Sequence, residues 1–213
     1  MSVPQDPDTE LMLRVKRGDI SAFEEIVDRY KQPVIGLVYR IIGDLTEAED
    51  IAQNVFIHAY RSAKNYKVKA KLSTWLFTIA RNLCLNEIRR KSRHPAESLD
   101  QITEDKEEHF GRDIPDKNSS IAEELILRME LETLVKAALD DLPENQRTAI
   151  VLYQEQGLSY EEISKILGCS LSATKSLIHR GREILKARLK PYLKTGHWET
   201  TERIKKLSKK SGF

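Results

Sequence analysis

Residues 168–182 read GCSLSATKSLIHRGR. Lys175, His179, Arg180 and Arg182 are long donors, and Ser172 and Ser176 are small hydroxyl residues among them. Long donors reach base edges and phosphates, while small residues let a helix approach a duplex closely. At 100° per residue, Leu171, Thr174, Ile178 and Leu185 share a narrow arc. Ser172, Ser176, His179 and Arg180 point away from that arc, with Lys175 on the flank. One side of such a helix packs and the other meets solvent or a polyanion. A basic, solvated face on a bundle helix has the same pattern.

A second set stands earlier, in KLSTWLFTIARNLCLNEIRRKSR. Asn82, Asn86, Arg89 and Arg93 recur at offsets of four, three and four, which places two amides and two guanidiniums on one helix face. Arg90 adds a further guanidinium beside them. The preceding stretch, Asn65 to Lys71, holds Tyr66, Lys67, Lys69 and Lys71. Lysines with an aromatic residue suit a single strand, whose phosphates pair with cations and whose bases stack. A solvated basic loop is the alternative. Trp75 and Phe77 read either as stacking residues or as core, with core preferred for Trp75. A third set lies in AEDIAQNVFIHAY. Ala48, Ala52, Val55 and Ala59 form a packing stripe; Asp50, Asn54 and Ile57 share the opposite face, with Gln53 beside them.

Nothing here resembles catalytic chemistry. The five histidines (His58, His94, His109, His179 and His197) lack metal spacing with one another or with the cysteines. No glycine-rich phosphate loop or nucleophile motif is present. The reading is therefore no enzyme, no metal and no cofactor. Cys84 and Cys169 lack CxxC spacing and read as reduced thiols. No apolar run approaches the roughly 18 residues of a membrane span, and the polar start MSVPQDPDTE does not resemble a signal peptide. A cytoplasmic protein with no membrane insertion is expected.

The elements that position these residues are helical. The pattern predicts an all-α fold of two small helical domains, residues 8–93 and 121–192. A flexible acidic linker, 94–120, joins them, and a basic tail, 193–213, follows. The linker carries Glu97, Asp100, Glu104, Asp105, Glu107, Glu108, Asp113 and Asp116; the tail carries Arg203, Lys205, Lys206, Lys209 and Lys210. In the first domain, Gly18-Asp19 breaks an opening helix. Ser21 with Glu24, and Asp44 or Thr46 with Glu49, read as starts of the second and third helices, and Ser73 as the cap of the fourth. In the second domain, a helix over 121–139 is followed by Glu144 to Gln156, with Pro143 at its start. Ser159 and Glu162 then form a capping box that opens Tyr160 to Leu167. Gly168 stops that helix, and a last one runs to about Lys190. A short helix, a Gly-containing turn and a second helix make a helix-turn-helix.

LPENQRTAIVLYQEQGLSYEEISKILGCSLSATKSLIHRGREIL resembles the promoter −35 binding domain of bacterial RNA polymerase sigma factors of the extracytoplasmic-function type. That family usually reads LP…R…LSYEEIA…G…TVKSRLHRAR. Leu177 departs from it, standing where the family has Arg or a similar donor, so restoring Arg there is expected to tighten −35 binding. AEDIAQNVFIHAY resembles the family's polymerase-binding helix, with Asn54 in place of the usual Glu. KLSTWLFTIARNLCLNEIRRKSR resembles its −10 recognition helix. The resemblance implies binding to core RNA polymerase, at the clamp coiled coil and the flap. It implies promoter DNA as partner, both duplex and melted non-template strand, with a flipped base captured by the 65–71 loop. It also implies sequestration by an anti-sigma factor, membrane-bound or soluble. The linker would be a plain tether or would thread toward the polymerase's RNA path; the tail would add a contact or merely solubilise.

The runner-up is a conventional two-domain helix-turn-helix regulator. The net charge of only +2 gives little long-range attraction to DNA. The free protein is thus expected to bind promoter DNA poorly, with polymerase tethering both domains at their elements.

Overall fold

The computed structural model describes residues 6–93 and 119–195. Among the described residues there are α-helices and no strand. The N-terminal half holds α1 (Pro7–Lys16), α2 (Ile20–Ile42), α3 (Leu45–Ser62), a 3-10 turn (Ala63–Asn65) and α4 (Leu72–Arg93). The C-terminal half holds α5 (Ser119–Asp140), α6 (Glu144–Gln154), α7 (Tyr160–Leu167) and α8 (Leu171–Thr195). The acidic residues from Glu97 to Asp116 and the basic residues of the tail lie outside the described residues.

Helix starts follow side-chain oxygens, though not always the expected ones. Asp19, rather than Ser21, caps α2: its backbone is extended and its carboxylate accepts the Ala22 N–H at 3.1 Å. That N–H, with the Arg14 side chain, holds the Asp19 carboxyl below the ordinary carboxylate range. Asp44 caps α3 by accepting from the Glu47 N–H at 2.7 Å, which leaves Thr46 inside the first turn. Ser73 does not cap α4. The helix begins at Leu72, whose N–H donates to Asp6 Oδ2 at 3.0 Å. A cap from across the fold thus replaces a local one. The Ser159–Glu162 capping box is present in both directions. Gly168 ends α7 at φ +65°, a left-handed conformation that costs glycine little. The last helix does not stop before Pro191 but runs through it to Thr195, as α2 runs through Pro33. Each proline removes one ladder N–H without ending the helix.

The core of the N-terminal half is built by α2, α3 and α4, with Ile26, Val34, Leu37, Val38, Ala48, Val55, Leu76 and Ala80 fully buried. In the C-terminal half Leu152, Ile163, Ile166 and Ile178 are buried equally well. Each such Leu, Ile or Val contributes roughly 1.5–3 kcal/mol by leaving water.

The two halves also pack on each other, α4 against α7 and α2 against α6. Arg40 pairs with Glu155 at 3.0 Å and Lys71 with Glu162 at 3.0 Å. Arg81 donates to Asn145 Oδ1 at 2.8 Å, and Arg147 donates to the Ile41 carbonyl at 3.3 Å. The Cys84 thiol lies buried near this contact. Burial, with the Glu144 carboxylate nearby, pushes it up to about 12, so it carries no thiolate at neutral pH.

Candidate nucleic-acid interface

The turn before α8 fixes where that helix starts. Ser170 accepts the Ala173 N–H on its hydroxyl at 3.1 Å and the Thr174 hydroxyl on its carbonyl at 3.1 Å. The buried side of α8 is Thr174, Ile178 and Gly181. Leu171, expected in this arc, is 37% exposed at the first turn, and Leu185 is half-buried. A Cβ on Gly181 would meet Ile150 Cγ1 at 2.8 Å, so α8 lays its backbone directly on α6. Ser172, Lys175, Ser176, His179, Arg180 and Arg182 are all exposed. Most of them, with Tyr160, line an open recess of about 440 Å³. The Arg182 guanidinium, however, sits 4.6 Å above the Tyr153 ring, which stacks on Tyr160 at 5.2 Å. Leu177 is half-buried and packs against the core.

On α4, Asn82, Asn86, Arg89 and Arg93 are exposed along one face. Arg90 is bonded to Glu87, at 2.7 Å in its shortest contact, and this guanidinium holds the Glu87 carboxyl below its usual range. Ahead of α4, Lys67, Lys69 and Lys71 are exposed, with Lys71 held by Glu162. Tyr66 turns inward instead. It is 4% exposed, and its ring meets Trp75 edge-on at 5.0 Å. Beside this loop lies a recess of about 520 Å³, walled by His58, Asn65, Lys67, Lys69, Trp75 and Lys165 among others. Phe77 is core, at 3% exposure, whereas Trp75 is only half-buried. The recess therefore combines an aromatic wall, lysines and an open mouth, a suitable container for a base and its phosphates.

On α3, Asp50, Gln53, Asn54 and Ile57 are all exposed. The Asn54 amide donates back to the Asp50 carbonyl at 3.0 Å. Gln53 and Ile57 line a groove of about 450 Å³ together with Val27, Lys31, Ile35 and Phe56. Its apolar floor and charged rim suit a partner helix.

Two family models match the chain: Sigma-70 region 2 over residues 26–94 and Sigma-70, region 4 over residues 133–185. The RNA polymerase sigma-H factor of Pseudomonas aeruginosa is 37% identical over 89% of this chain and 97% of its own. The ECF RNA polymerase sigma factor SigW of Bacillus subtilis is 38% identical over 83% of this chain and 94% of its own. This chain belongs to the extracytoplasmic-function family of RNA polymerase sigma factors. Among solved structures, CnrH in complex with the cytosolic domain of CnrY has a TM-score of 0.64, at 24% identity over 87% of this chain and 99% of that one. The sigma factor RpoE of Bartonella quintana, in complex with the anti-sigma factor NepR, has a TM-score of 0.60, at 24% identity over 79% and 96%. Both share the all-helical fold. A conventional regulator is not favoured, because the N-terminal half matches region 2 and holds helices without a strand among the described residues.

Region 4 of the sigma factor brings its six sequence-predicted residues onto one exposed helix, with Arg182 drawn toward the tyrosines. Region 2 separates its nine between the α4 face and the loop, and turns Tyr66 inward. His58, Thr78, Ile79 and Lys165 also line the recess, and sequence reading missed them. Lys165 leaves no local signal there, since it reaches region 2 only because α7 docks on α4. The groove partners Val27, Lys31 and Ile35 were legible in principle, because an i, i+4, i+8 series marks one helix face. No helix among the described residues is long and apolar enough to cross a membrane.

Proposed function

We propose that this sigma factor binds core RNA polymerase through the exposed α3 face and its groove, at the clamp coiled coil, and reads two promoter elements. Asn82, Asn86, Arg89 and Arg93 meet the −10 element. Lys67, Lys69 and Lys71 hold the unpaired non-template strand, and the adjoining recess takes a flipped base. Ser172, Lys175, Ser176, His179 and Arg180 meet the −35 duplex, with the flap of polymerase as the second docking point. Arg182 and Arg90 act from one step back, on Tyr153 and Glu87. The protein contributes no catalysis of its own; nucleotide chemistry belongs to polymerase, and the site of action is the cytoplasm. An anti-sigma factor is proposed as a further partner, as in the solved complex of RpoE with NepR.

The observation that carries this reading is the presence, in one chain, of two exposed donor faces on separate helices beside a lysine-rimmed recess. A duplex reader needs only the first kind of surface, and the recess adds capture of a melted strand. The test combines the purified protein with core polymerase and a library of promoter fragments, and looks for run-off transcripts. Transcription from core polymerase alone is the expected result. Activity seen only with holoenzyme that already holds another sigma factor would make the protein a conventional activator.

A further inference from the structure

Helix α1 lies outside the region 2 match, which begins at residue 26. It nevertheless touches both ends of the loop that precedes α4. At one end, the Lys16 ammonium donates to the Tyr66 carbonyl at 3.0 Å. At the other, Asp6 Oδ2 accepts the Leu72 N–H at 3.0 Å. Asp6 is also the cap of α1 itself, taking the Asp8 N–H at 3.4 Å and the Thr9 hydroxyl at 3.2 Å. One carboxylate therefore serves the positive ends of two helices.

The dimensions fit a brace. Ten helical residues span about 15 Å, and the six steps from Tyr66 to Leu72 reach at most about 20 Å. The brace is rigid, because Leu11, Met12 and Val15 anchor α1 in the core. Between the two ties, Lys67, Val68 and Lys69 are exposed, and Lys67 and Lys69 line the recess. A loop fixed at both ends has already lost its conformational freedom on folding, so a strand that docks on it need not order it again.

We infer that Lys16 and Asp6 are positioning residues for the melted −10 strand, with α1 as the brace that holds the 66–72 loop in its strand-receiving shape. This rests on the proposed reading of that loop as the strand-holding segment. Neither side chain needs to touch DNA.

The test uses the full chain with core polymerase and a promoter fragment recovered by run-off selection. Strand opening is read by permanganate reactivity of unpaired thymines near the −10 element. Lys16→Met is expected to lower opening roughly three- to tenfold, the range for losing one hydrogen bond of ordinary strength, since this ammonium contact is only part-buried. Core polymerase binding and −35 fragment binding stay unchanged, and Lys16→Arg restores most of the opening. Amide exchange in residues 67–71 of the free protein should speed up in Lys16→Met and return toward normal in Lys16→Arg. Asp6→Ala should lower opening in the same direction, with thermal melting recorded to detect loss of α1.

Lys67→Ala/Lys69→Ala separates the two ideas. If that pair lowers opening while Lys16→Met does not, the loop reading stands and the brace is overturned. If the pair leaves opening untouched, the loop reading fails and the brace fails with it.

Discussion

The two surfaces proposed to face DNA are held in different ways. On α8, every proposed contact sits on one helix, whose start is fixed by Ser170 and whose backbone lies against Ile150. On region 2, the contacts are divided between α4 and a loop tied at both ends to α1. A duplex presents a fixed groove, and a rigid helix suits it. A melted strand has no shape of its own, so it needs a recess with walls, a rim of cations and a prepared loop. The difference between the surfaces matches the difference between their targets.

Substitutions can break this contrast, and the largest effect is expected on α8. Arg180→Ala should cost about 1–3 kcal/mol of −35 binding if the guanidinium reads a base edge. Mobility shifts of holoenzyme on a −35 fragment measure this, while binding to a template already unpaired at the −10 element should not change. Loss of opening with intact −35 binding would reverse the assignment of the two surfaces.

The next effect tests whether packing sets the α8 face. Gly181→Ala should destabilise the protein by about 1–3 kcal/mol through overpacking on Ile150, less up to about 1 kcal/mol from better helix propensity. Ile150→Ala, which removes the clashing Cγ1, should cost less in the Gly181→Ala background than in the parent by thermal melting. A Gly181→Ala protein as stable as the parent would mean that α6 yields freely.

A third test uses pH at the boundary between the surfaces. Burial pushes the Glu162 carboxyl up, but the Ser159 N–H and hydroxyl and the Lys71 ammonium outweigh it, so its folded value lies below 4.5. Its contribution is therefore present above the unfolded value near 4.5 and lost as pH falls through the lower folded value. Denaturant midpoints should show Glu162→Gln less stable than the parent at neutral pH, with the gap closing in acid. A gap independent of pH would leave the carboxylate charge without a role.

The smallest effect concerns Leu177. Sequence comparison alone predicts tighter −35 binding from Leu177→Arg. The half-buried setting of Leu177 changes that expectation, since an arginine gains reach only by giving up packing. Its −35 affinity should stay within a factor of about three of the parent, with a lower melting temperature. A tenfold gain would show that the flank meets DNA after all.

Much of the fold was legible from local chemistry. The Ser159–Glu162 box, the stop at Gly168 and the stripe Ala48, Ala52, Val55 and Ala59 all stand where residue type and period put them. The misses share a cause. Asp6 capping α4, Lys16 holding Tyr66 and Arg40 pairing with Glu155 join residues far apart in sequence. Single charged residues leave no periodic trace, so their partners emerge only with the tertiary fold. Tyr66 shows the same limit: a ring in a basic loop reads as a stacking surface, and only the fold shows it buried against Trp75 while still lining the recess.

The packing of α7 on α4 has a consequence measured along DNA. Elements centred about 25 base pairs apart lie some 85 Å apart at 3.4 Å per pair. With only α7 between α4 and α8, and helix axes 8–10 Å apart, the two reading helices stand within about 20 Å of each other. One continuous straight duplex cannot meet both in this arrangement. The chain between Arg93 and Ser119, residues 94–118, is 25 residues long; at 3.3–3.6 Å each, that is a reach of at most about 80–90 Å. Its length is thus close to the interval to be crossed. Parting of the halves would cost Arg40, Lys71 and Arg81 their partners Glu155, Glu162 and Asn145, and would free Lys71 to meet a phosphate.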